Sequence, residues 1–126
     1  MDKFPKKILV VDDEEDMLLY IGNILRRANY DVLIANKGKD AIEIANNYKP
    51  DLIILDIVMP DMKGGEIAAA LSQDLTTVNI PIMFLTGLLV KKEEGVSDKI
   101  RGKHHILAKP VTSQELLKTV NELING

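Results

Sequence analysis

The chain has 126 residues, a formal charge of -3, 46% hydrophobic and 28% charged residues, the size and balance of one globular domain with a real core. With no cysteine it has no disulfide, thiolate metal site or cysteine nucleophile. Its charge gives no reason to expect a nucleic-acid surface, no apolar run approaches membrane-spanning length, and residues 1–7 lack the apolar stretch of a signal peptide, so a cytoplasmic protein is expected.

Taken in order, Ile8-Leu9-Val10-Val11 reads as a first short strand, and it runs directly into Asp12-Asp13-Glu14-Glu15-Asp16. Acids suit a helix N-terminus, which accounts for the last three better than for two aspartates at a strand end. The helix that follows carries Met17, Leu18, Ile21, Ile24, Leu25 and Ala28 on one face at three- and four-residue spacing. Residues 31–35 form a second strand. Gly38 and Asp40 precede a second helix with Ala41, Ile42, Ala45 and Tyr48 turned inward, and Lys49-Pro50 closes it.

Leu52-Ile53-Ile54-Leu55 has no charge and reads as a strand buried on both faces. It ends in Asp56, and Pro60, Gly64 and Gly65 mark the loop beyond. Taken alone, Asp56 serves equally well as a reactive group or as the cap of that turn. A short third helix is expected from about Gly65 to Gln73, with Ile67, Ala70 and Leu71 inward. Pro81 opens a fourth strand, Ile82 to Leu85, which ends in Thr86-Gly87. Residues 88–102 have a charge cluster and no clean apolar stripe, and a short, poorly formed helix is expected there. His104 to Ala108 is the fifth strand, followed by Lys109-Pro110. The last helix opens on Thr112 and Glu115, a capping-box pattern, and turns Leu116, Leu117, Val120, Leu123 and Ile124 inward.

Strands alternating with helices imply an α/β fold with a doubly wound parallel sheet and helices on both faces. Right-handed crossovers leave few topologies, and the flavodoxin-like order 2-1-3-4-5 is among the commonest. In that order the first and third strands are neighbours at the crevice, so Asp12, Asp13 and Asp56 should meet. Thr86 and Lys109 end strands on the same edge. Three gathered carboxylates call for a cation, and oxygen ligands alone favour Mg²⁺, with Mn²⁺ able to substitute. An aspartate can attack phosphorus to form an aspartyl-phosphate. Lys109 and the metal could neutralise the charge that phosphoryl transfer spreads, and the Thr86 hydroxyl could donate to a phosphoryl oxygen.

Over nearly its full length the chain resembles a response-regulator receiver domain, the CheY-like module of two-component signalling. The matching residues are Ile8 to Val11 with Asp12-Asp13, Leu52 to Leu55 with Asp56, Met59-Pro60 with Gly64, Thr86, and Lys109-Pro110. The resemblance implies that Asp56 accepts a phosphoryl group from a histidine kinase or phosphotransfer protein. It implies that Asp12, Asp13, Asp56 and the Val58 backbone carbonyl hold Mg²⁺. It further implies that Thr86 moves toward the phosphoryl group, that Lys109 pairs with it, and that the Lys109–Pro110 bond is cis. Output would pass through the face of the fourth helix, fifth strand and fifth helix to an unknown downstream protein. The expected product is a lone receiver over residues 1–126, without an output domain, that catalyses only its own phosphorylation and dephosphorylation.

Three positions bear on how such a site would behave. Ile106 stands where an aromatic residue often rotates with the threonine. Val58 and Leu88 flank the site with side chains that cannot hydrogen-bond an attacking water, so slow loss of the phosphoryl group is expected. The rival reading is a phosphate-independent pseudo-receiver acting as a docking module. A small-molecule phosphohydrolase would need a cap for which no insertion is large enough, and a nucleotide binder would need a glycine-rich loop after the first strand. His104 and His105 would point to opposite faces of a strand, which argues against a shared metal.

Overall fold

The computed structural model describes residues 5–57, 64–86, 105–108 and 111–125. Five short strands, β1 Lys7–Val11, β2 Asp31–Ala35, β3 Leu52–Asp56, β4 Ile82–Thr86 and β5 His105–Ala108, form one sheet in the order β2-β1-β3-β4-β5. Every neighbouring pair is parallel. Four helices are described, α1 Glu15–Arg27, α2 Gly38–Tyr48, α3 Gly64–Ser72 and α4 Ser113–Asn125. The helix expected within 88–102, together with His104, lies outside the described residues.

The period-two geometry of strands divides the apolar residues cleanly between two layers. Ile8, Val10, Leu52, Ile54, Met83 and Leu85 face α1 and α4, packing on Leu18, Ile21, Leu25, Leu116 and Val120. Their neighbours Leu9, Val11, Ile53, Leu55, Ile82 and Phe84 face α2 and α3, packing on Ala41, Ala45, Ile67 and Leu71. All five residues of β3 are buried, which is why its sequence is continuously apolar rather than alternating. Where the chain enters the sheet, the Lys7 amide donates to the Asp51 carboxylate at 2.8 Å and the Asp51 amide donates to the Lys7 carbonyl at 2.8 Å, setting β1 against β3.

The last helix begins as its sequence implies: the Glu115 amide donates to Thr112 Oγ1 at 3.1 Å, and Glu115 Oε1 accepts from the Thr112 amide at 3.1 Å. One packing expectation fails. Tyr48, placed on the inner face of the second helix by its spacing, is 53% exposed. It is the final residue of α2, and Lys49 turns the chain in a left-handed conformation (φ 46°) directly after it. At the last residue of the helix, spacing alone does not secure burial. The second helix also starts earlier than expected, so Asp40 lies inside its first turn, where its charge suits the helix dipole.

Candidate functional site

β1 and β3 are paired in register from Ile8 with Leu52 to Val11 with Leu55, so both strands deliver their next residue, Asp12 and Asp56, to the same edge. Asp12 is held from two sides. Its amide donates to the Ala35 carbonyl of β2 at 3.2 Å, and its Oδ1 accepts the Glu14 amide at 2.9 Å. The second bond starts α1, because the Glu14 carbonyl then accepts the Met17 and Leu18 amides at 3.1 and 3.2 Å. At Asp56 the strand continues one step further, and the Ile57 amide donates to the Leu85 carbonyl at 3.0 Å.

The three aspartates meet. One carboxylate oxygen from each of Asp12, Asp13 and Asp56 lies within 4.8 Å of the other two. Asp12 is 1% and Asp56 6% exposed, whereas Asp13 opens to solvent. The oxygens span little more than two metal–oxygen bonds of about 2.1 Å each, and hard carboxylate donors suit Mg²⁺. The donor set therefore fits a divalent cation of that kind. Of the other sequence candidates, Thr86 ends β4 and pairs with Ala108, the residue before Lys109. Lys109 and Val58 fall outside the described residues.

One contact near this edge carries no signal in the sequence. The Tyr20 hydroxyl on α1 donates to the Val111 carbonyl at 2.8 Å, across 91 residues of chain. Val111 is buried and lies just before α4, so this bond ties α1 to the chain entering the last helix. Nothing in the local pattern around Tyr20 announces it; only the fold brings α1 and α4 side by side.

A doubly wound sheet of this order with three carboxylates at its switch point defines a signalling receiver. The family described as the response regulator receiver domain matches residues 8–121, and the chain belongs to it. Among its relatives it is 35% identical to Protein PilH of Pseudomonas aeruginosa, across 95% of this chain and 98% of that protein. It is 37% identical to the alkaline phosphatase synthesis transcriptional regulatory protein PhoP of Bacillus subtilis, covering 94% of this chain but 48% of that one. The solved structure of the chemotaxis response regulator CheY4 of Vibrio cholerae superposes with a TM-score of 0.85 at 28% identity, covering 94% of this chain and 98% of that one. Receiver domains are signalling modules that bind Mg²⁺ at an acidic pocket and work with histidine kinases or phosphotransfer proteins and downstream targets. No helix among the described residues is long and apolar enough to cross a membrane.

Proposed function

We propose that the chain is a phosphoacceptor in a two-component relay and that Asp56 is the accepting residue. The observation that carries this reading is the meeting of Asp56 with Asp12 and Asp13 at the end of two buried strands. An Asp56 carboxylate oxygen attacks the phosphorus of a phosphohistidine, the P–O bond forms as the P–N bond breaks, and the histidine nitrogen leaves with the P–N electron pair. Asp12, Asp13, Asp56 and the Val58 backbone carbonyl would hold Mg²⁺, which when bound would neutralise charge on the transferring group. The Asp12 bond to the Glu14 amide holds that carboxylate in place before the reaction, and Asp56 is buried beside it.

In this reading Lys109 pairs with the phosphoryl group and Thr86 donates its hydroxyl to it. The altered face formed by residues 88–102, β5 and α4 would then be read by a downstream protein. The protein acts in the cytoplasm, without direct nucleic-acid or membrane contact, and turns over no substrate other than its own aspartyl-phosphate. Slow hydrolysis follows from Val58, and Val58→Asn should speed loss of the phosphoryl group; unchanged decay would remove that part of the reading.

Intact-mass spectrometry after acid quenching tests the core of the proposal, with phosphoramidate as donor. One Mg²⁺-dependent phosphoryl adduct on the wild type and none on Asp56→Asn is expected. Adducts of equal yield on both proteins would overturn it. Mg²⁺ failing to bind the wild type, with no adduct on either protein, would favour a phosphate-independent docking module.

A further inference from the structure

A groove of about 600 Å³ runs along the free edge of the sheet, where β2 lies between α1 on one face and α2 on the other. The backbone of β2 shows which groups line this edge. The Asp31 amide donates to the Lys6 carbonyl at 2.9 Å and the Ala35 carbonyl accepts the Asp12 amide at 3.2 Å, so residues 31, 33 and 35 direct their backbone groups toward β1. Along a strand these groups alternate in direction. Val32 and Ile34 therefore turn their N–H and C=O groups outward, where no strand pairs with β2 among the described residues.

The side chains around that edge are apolar and acidic. Leu19 of α1 and Ile34 of β2 are 59% and 49% exposed, and Ile44 of α2 closes the opposite wall. Glu15, Asp40 and Glu43 stand along the groove, against a single guanidinium, Arg26. Exposed edges invite pairing and are blunted by charge, most often a lysine, or by proline; residues 31–35 contain no lysine or proline, and their one charge, Asp31, stands at the start of the strand, before Val32 and Ile34.

We propose that this edge binds an extended segment of a partner protein in which apolar residues alternate with Lys or Arg. The segment would add a strand beside β2, its backbone bonded to Val32 and Ile34, its apolar side chains turned to the α1 face on Leu19 and Ile34, and its alternate cations turned to the α2 face beside Asp40 and Glu43. A helix would leave the backbone groups of the edge unused. With three carboxylates against one guanidinium the groove is acidic, so charge favours a basic partner. This surface is separate from the aspartate cluster and does not depend on the phosphoacceptor reading.

The probe is a phage-displayed library of random short peptides selected on the intact chain, followed by amide exchange of the ¹⁵N-labelled protein with the enriched peptide. Enrichment of alternating apolar and basic residues is expected, with exchange of the Val32 and Ile34 amides slowed at least tenfold. Ile34→Pro should abolish binding while leaving the β1 ladder intact, since that amide points away from β1. Glu43→Lys, on an exposed helix position that tests charge without touching the strand, should weaken binding at least tenfold. No enrichment, enrichment of acidic or helical peptides, or protection at residues remote from β2 would each overturn the proposal. Concentration-dependent protection of Val32 and Ile34 without peptide would overturn it in favour of self-pairing.

Discussion

Replacing Asp13 by Asn should make the metal-free protein more stable, although it removes a residue from the candidate site. At the 4.8 Å limit that separates the carboxylate oxygens, two unit charges repel by about 0.9 kcal/mol in water and about 3.5 kcal/mol at an effective dielectric constant of 20. Asp13 is exposed, so the value near that of water applies to each of its two pairs, and salt screens it further. A gain of about 1–2 kcal/mol at low ionic strength is expected. Urea unfolding followed by circular dichroism, in EDTA, measures it. The gain should shrink in 1 M NaCl, where the screening length falls to about 3 Å. Saturating Mg²⁺ should reverse the order of stability, since a ligand at a hundred times its Kd adds about 2.7 kcal/mol and the variant binds it more weakly. Asp31→Asn, at an exposed position on the β2 edge, serves as the control and should change stability by less than about 0.5 kcal/mol. If Asp13→Asn is destabilised in EDTA, or if its gain survives high salt, repulsion within the cluster is not the cause and the site has been misread.

Other consequences are independent of the metal. Thr77 is buried and its hydroxyl donates to the Leu71 carbonyl at 2.7 Å; Thr77→Val keeps the shape and should cost about 1–2 kcal/mol in urea unfolding. Tyr20→Phe removes the bond to the Val111 carbonyl and should cost about 0.5–1 kcal/mol, with faster amide exchange at the start of α4. The Thr76 hydroxyl and amide, donating to Asp74 at 2.7 and 2.8 Å, hold its carboxyl below the usual carboxylate range, with Lys49 adding to the effect. A carboxyl lowered by folding stabilises above its unfolded pKa, and that contribution is lost as pH falls through the folded value. Carbon-detected NMR titration should find the Asp74 midpoint depressed in the wild type and moved back upward in Thr76→Ala.

The sheet was readable because burial leaves a mark in single strands. Leu52 to Leu55 could hardly belong anywhere but between two helical layers, and the right-handed crossover rule then brought Asp12 and Asp56 to neighbouring strand ends. The candidate cluster was legible for the same reason: it depends on topology and strand ends, not on fine side-chain placement. Tyr48 departs from its spacing because helical periodicity assigns a side chain to a face but does not say whether the last residue of the helix is covered. The ordered turn after α3, in which Thr77 bonds back to Leu71, has only a weak mark in the sequence because its Asp74–Thr76 signature is short and common in loops. The Tyr20–Val111 bond and the groove at β2 arise from segments that meet only after folding, and neither has a local pattern.

The central claim is that Asp56, and neither of its two acidic neighbours, takes the phosphoryl group. Borohydride reduces an acyl phosphate to the alcohol, so a phosphorylated aspartate is recorded as homoserine by tandem mass spectrometry of the digested protein. After phosphoramidate and Mg²⁺, homoserine at position 56 alone is expected. Homoserine at position 12 or 13, or at none of the three in protein that carries the adduct, would contradict the account.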